Sequence, residues 1–117
     1  MKPRQKEIAT SILKSAAGAF HVSPFDIKCK TRKIEIVEAR DAAIYMLKTR
    51  LTLKNWQIGE LFGIIPSSVC YSLKRTKTRL HLEASNNRTW RRRLSMAFAL
   101  LDGGNTPITP KEPFTGR

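Results

Sequence analysis

The chain has 117 residues, 41% apolar and 26% charged, enough for one domain with a modest core. Twenty-two Lys and Arg against nine Asp and Glu give a net charge of +13, a surplus that repels itself and is normally kept to meet a polyanion, nucleic acid first and an anionic membrane surface second. No apolar run reaches the roughly 18 residues of a membrane span, the N-terminal segment is no signal sequence, and Cys29 and Cys70 lack CxxC spacing, so no membrane partner, disulfide, metal site or cofactor is expected.

Ile8, Ile12, Leu13, Ala16 and Phe20 recur at steps of three and four, which predicts an amphipathic helix over residues 4–20. Gly18 and then His21-Val22-Ser23-Pro24 weaken and end it. Ser23 suits an N-cap, Pro24 the first helical position and Asp26 the first turn, predicting one short helical turn from Pro24 to Lys28. A compact basic loop follows, with Lys28, Lys30, Arg32 and Lys33 around Cys29 and Thr31. Ile34, Val37, Ala42, Ile44, Tyr45, Leu47 and Leu51 mark a long helix from about Lys33 to Arg50. Within it, Ala39-Arg40-Asp41-Ala42-Ala43 suits close packing, because small side chains let backbones approach.

Leu51 to Asn55 is a connection, and Trp56 to Phe62 a short helix stopped by Gly63. Pro66 opens the next helix, Ser67 and Ser68 follow it, and Val69, Leu73 and Leu80 give that helix an apolar side. A short helix, a tight glycine turn and a second helix with a polar start make a helix-turn-helix. Leu82 to Asn87 breaks the pattern, with Asn86 or Asn87 capping a final helix. That helix gathers Trp90, Leu94, Phe98 and Leu101 on one face and Arg88, Arg91, Arg92 and Arg93 in its first turns. Gly103-Gly104 ends it, and a tail with Pro107, Pro110 and Pro113 is expected to be disordered. The expected fold is all-α: a compact helical bundle containing a helix-turn-helix over residues 1–82, an extra basic and apolar helix over 83–103, and the tail over 104–117.

The order of these features resembles the C-terminal DNA-binding domain of the bacterial replication initiator DnaA, from about Ile8 to Leu80. The resemblance is carried by the amphipathic helix, by Val22, Pro24, Asp26 and Ile27, and by the basic loop at Lys30 and Arg32. It continues through Ala39, Arg40 and Ala43 to Ile58, Gly59, Phe62 and Gly63. Where that family carries Asp-His-Thr-Thr-Val at the start of its recognition helix, this chain has Ile65-Pro66-Ser67-Ser68-Val69, in a stretch with one residue fewer. Ser67 and Ser68 stand for the threonines and Val69 for the valine, but the aspartate and histidine are missing. The resemblance therefore implies the initiator's fold without its recognition sequence. No Gly-rich loop followed by Lys and Ser or Thr is present, so this chain alone is not expected to initiate replication.

The residues support duplex DNA on their own terms. Short polar side chains at a recognition helix's N-terminus can enter the major groove, and its free N–H groups suit a phosphate. Ser67 and Ser68 fill that role; Tyr71 and Ser72 are expected on the same exposed face, with Arg75 reading a guanine edge and Lys74 and Lys77 holding phosphates. The resemblance makes Arg32 a minor-groove arginine, supported by Lys30 and Lys33, and makes Lys48 a phosphate contact. Trp56, Ile58, Leu61, Phe62, Val69 and Leu73 are read as core, and His21 and His81 as surface residues. The scattered acidic residues offer no nucleophile–base pair, so no enzyme and no catalytic residue are expected.

The leading expectation is a cytoplasmic, nucleoid-associated transcription regulator of the kind a phage or mobile element carries, with double-stranded DNA as partner. The alternatives are a replication or nucleoid accessory protein of low sequence specificity, or a protein-docking module. RNA is disfavoured, because no aromatic stacking sheet or glycine-rich clamp is present. The face of Trp90, Leu94, Phe98 and Leu101 either completes the core against the first helix or offers a surface to a second copy or to transcription machinery.

Overall fold

The computed structural model describes residues 2–29, 31, 33–81 and 85–103. Among these there are six helices: α1 (Pro3–Ala19), α2 (Pro24–Ile27), α3 (Ile34–Leu51), α4 (Asn55–Phe62), α5 (Pro66–His81) and α6 (Ser85–Leu101). They agree with the predicted all-α class and its boundaries to within about two residues, ordinary scatter for helix ends. Lys30, Arg32 and the expected tail lie outside the described residues. The α6 helix starts at Ser85, so Asn86 and Asn87 sit within its first turn rather than before it.

Local chemistry explains where these helices begin and end. Ser23 Oγ accepts the Phe25 N–H at 3.1 Å, capping α2 as its sequence suggests. The chain leaves α1 through His21, which takes the left-handed conformation (φ 58°), while Val22 N–H closes on the Ala17 carbonyl at 2.9 Å. The α4 helix opens where the Gln57 side chain accepts the Lys54 N–H at 2.9 Å.

Packing is organised around α3, which contacts every other helix. Ala39, Ala42, Ala43, Ile44, Met46 and Leu47 are all buried, so α3 has almost no solvent face in its middle turns, and its alanines allow neighbours close. The most extensive helix pair is α1 with α6, where Ile12, Leu13, Ala16, Trp90, Leu94 and Ala97 share one core with α3. On the other side α4 and α5 lean on α3 through Ile58, Phe62 and Val69. Three apolar residues are placed differently from the periodicity reading. Ile34 and Trp56 are exposed, and Leu53 in the α3–α4 connection is buried. Trp56 precedes Ile58 by two residues, about 200° around α4, so the turn that buries Ile58 carries Trp56 outward.

Candidate nucleic-acid interface

The helix-turn-helix is built on two glycines. Gly63, at φ 68° and ψ 34°, reverses the chain directly after α4, a conformation that costs other residues about 1–2 kcal/mol. Ile64 N–H then returns to the Gly59 carbonyl at 2.9 Å, and a Cβ on Gly59 would lie 2.5 Å from the Ile64 carbonyl oxygen. The turn therefore rests on bare α4 backbone. Ser68 N–H donates to the Ile65 carbonyl at 2.9 Å and starts α5. Of the two serines expected at this end, Ser67 is exposed and Ser68 half-buried. Ile65 stands beside them 64% exposed, an apolar side chain at the tip that the sequence did not single out.

Further along α5, Tyr71 is exposed with the Lys74 ammonium 5.7 Å above its ring, and Lys77 is exposed as well. Ser72 departs from the expected exposed face. It is buried, and its hydroxyl donates to Asp41 Oδ1 at 2.6 Å. Arg75 is also engaged: Nε donates to Asp41 Oδ2 at 3.0 Å and Nη2 to Oδ1 at 2.9 Å, although half of its side chain stays accessible. Arg79 adds a further bond to Oδ2 at 2.6 Å. Asp41 is fully buried, so these donors replace its lost hydration. The hydrogen bonds that Arg75 donates to Asp41 favour its charged form and raise its pKa above the ordinary value, with burial opposing.

The basic loop is held from the same helix. Arg40 Nε donates to the Ile27 carbonyl at 3.0 Å, while Nη2 bonds the Cys29 carbonyl and reaches that of Thr31 at 3.4 Å. Burial lowers the pKa of Arg40, and the neighbouring Asp41 charge offsets part of that. Consecutive residues of α3 thus anchor the two elements expected on DNA: Arg40 the loop, Asp41 the recognition helix. Thr31, Arg40, Ser68, Tyr71 and Arg75 line one groove, so the loop and the first half of α5 border the same depression. Lys33, at the start of α3, is exposed. Lys48, expected to be a phosphate contact, donates to the Leu53 carbonyl at 3.1 Å and to Asn55 Oδ1 at 2.9 Å, tying down the connection before α4.

Sequence reasoning missed Arg40, Asp41 and Arg79 as organisers. The available signals were an aspartate among alanines on the central helix, and Ser72, Arg75 and Arg79 at helical spacing on one side of α5.

The α6 face is used inside the molecule, so of its two expected roles it takes the first, completing the core against α1, and not that of a dimer or docking surface. Trp90 and Leu94 are buried, and Phe98 and Leu101 pack against the core. Trp90 Nε1–H donates to the Glu38 carbonyl at 3.1 Å, and Arg79 lies 5.1 Å over its ring. Arg91 donates to the Arg79 carbonyl at 3.0 Å and Arg93 sits 5.9 Å over Phe20, while Arg88 and Arg92 are exposed. His21 and His81 are exposed. Among the described residues no helix is long and apolar enough to cross a membrane, and no group of three His, Cys, Asp or Glu could hold a metal ion.

Comparison with known proteins agrees with this geometry. The family model for the bacterial DnaA protein helix-turn-helix matches residues 9–76. The chain is similar to the chromosomal replication initiator protein DnaA 2 of Chlamydia pneumoniae, 34% identical over 93 residues, covering 80% of this chain and 20% of that protein. Its counterpart in Chlamydia trachomatis serovar D is 36% identical over 81 residues, covering 69% and 18%. The chromosomal replication initiator protein DnaA 1 of Protochlamydia amoebophila is 29% identical over 94 residues, covering 80% and 20%. The chain thus spans about a fifth of the length of the curated relatives it matches. No solved structure matches it significantly. A +13 chain, a helix-turn-helix with an open first turn and a match through α5 lead to one conclusion: the chain belongs to the bacterial DnaA helix-turn-helix family and carries its DNA-binding module.

Proposed function

We propose that the chain regulates transcription by binding double-stranded DNA, with the N-terminal end of α5 in the major groove and the Arg32 loop in the minor groove. The observation that carries this reading is the outer face of α5, where Ser67, Tyr71, Lys74 and Lys77 are exposed on a helix otherwise fixed to α3 and α4. Lys74, Lys77, Lys30 and Lys33 hold phosphates, Arg75 reads a guanine, and Arg32 follows the negative potential of the narrow groove. The absence of the family's aspartate and histidine supports a target other than the initiator's own sequence. One observation favours a second reading, a DNA-binding role in replication: the relatives above are named chromosomal replication initiators.

Genome-wide occupancy of the tagged protein separates the readings, with an Arg32→Ala, Arg75→Ala double variant as control. Sharp peaks upstream of genes, lost in the variant, are expected of a promoter-binding regulator associated with the nucleoid. Peaks confined to a replication origin would move the chain to replication. Broad occupancy, sensitive mainly to salt, would leave a non-specific DNA binder.

A further inference from the structure

An arginine on an open helix face samples many rotamers, and a fork that must meet two acceptors loses that freedom on binding. Arg75 has given it up beforehand. Its Nε and Nη2 hold the two oxygens of Asp41 at 3.0 and 2.9 Å, a side-on bidentate pair. Asp41 cannot follow a moving partner, because it is fully buried and held by Ser72 at 2.6 Å and Arg79 at 2.6 Å. One edge of the guanidinium remains. Nη1 donates to none of the described residues, and together with the second proton of Nη2 it forms the paired donors that match guanine O6 and N7. The pairing does not extinguish the local charge, since Arg79 shares the carboxylate and one net positive charge is left on the trio.

We infer that Asp41 is a positioning residue for DNA recognition, which locks one edge of Arg75 and presents the other to a guanine in the major groove. This rests on the proposal that α5 reads duplex DNA. It makes Asp41 a determinant of specificity rather than of affinity, although it touches no base.

The test uses the full chain and a duplex selected by it from a random pool, with each guanine replaced in turn by 7-deazaguanine, which lacks the N7 acceptor. Wild type is expected to lose roughly tenfold to a hundredfold at one guanine. Asp41→Asn and Arg75→Lys are expected to reduce that penalty to about twofold or less, the loss of affinity falling on the selected duplex far more than on unrelated duplex. A merely structural role for Asp41 would lower affinity for both duplexes together. A folded Asp41→Asn variant that keeps the full guanine penalty would overturn the inference and leave DNA binding intact. A wild-type chain that selects no sequence would overturn both.

Should Asp41→Asn fail to fold, the wild-type Arg75 Nε–Hε signal decides, assigned by its loss in Arg75→Lys. A rigid group in the free protein, with an order parameter near about 0.85 that hardly changes on adding duplex, is the expected result. A value below about 0.6 before DNA is added would overturn the inference.

Discussion

The two tryptophans divide the molecule. Trp90, in the half made by α1, α3 and α6, is 2% exposed, its N–H bonded and its ring covered by Arg79. Trp56, at the start of the helix-turn-helix, is 52% exposed, and Ile65 and Tyr71 are also left outside on that side. Both halves are basic and helical, so charge does not distinguish them. What differs is where the bulkiest aromatic side chain goes: the supporting half, made by α1, α3 and α6, seals Trp90 in its core, and the helix-turn-helix leaves Trp56 and Tyr71 outside. Smaller apolar side chains are exposed on both, Ile34, Met96 and Leu100 on the first and Ile65 on the second.

The comparison breaks most directly at the tryptophans themselves. Trp90→Ala should cost about 3–5 kcal/mol in urea denaturation, the usual range for a buried aromatic, whereas Trp56→Ala should stay within about 0.5 kcal/mol. Equal losses would mean that the two halves are not built differently. Gly59→Ala comes next, because the new methyl meets backbone at 2.5 Å, not a yielding side chain. A loss of about 1–3 kcal/mol is expected, together with weakened duplex binding as the turn is pushed off α4. The smallest effect sharpens the supporting half. Arg50 Nη1 and Nη2 pair with Asp102 at 2.7 and 3.0 Å, joining the end of α3 to the end of α6. Hydrogen bonds from Arg50 hold the Asp102 carboxyl below its ordinary value of 3.8. A depressed folded pKa means that the contribution is present above that value and is lost as pH falls through the lower, folded one. Both side chains are well exposed, so Asp102→Asn should cost only about 0.2–1 kcal/mol near neutral pH. The gap to wild type should close in strongly acidic urea titrations.

Much of the fold was legible because its punctuation is chemical and local. Ser23 with Pro24 starts α2, Gly63 ends α4 and Pro66 starts α5, each signal lying within a few residues of its effect. The misplaced residues depend on distant partners. Ser72 reads as an outward polar residue until Asp41, 31 positions earlier, is known to lie beneath it. Lys48 is expected only as a phosphate contact, because nothing in its own helix reveals that its ammonium holds the carbonyl of Leu53. Trp56 reads as core together with Ile58 and Phe62, but its angular offset from Ile58 turns it outward. The final helix was legible as an apolar face, but periodicity alone could not say whether α1 or a second molecule would cover it.

The adjacency of Arg40 and Asp41 has a geometric consequence. One residue grips the loop ahead of α3 and the next grips α5, both from a single turn of the most enclosed helix. A change in separation between the loop and α5 must break one of these grips or bend α3. If both elements touch one duplex, the protein behaves as a fixed gauge of how far the minor groove lies from the adjoining major groove. DNA that is overwound, or whose groove widths depart from that gauge, would bind less well even with every contacted base unchanged.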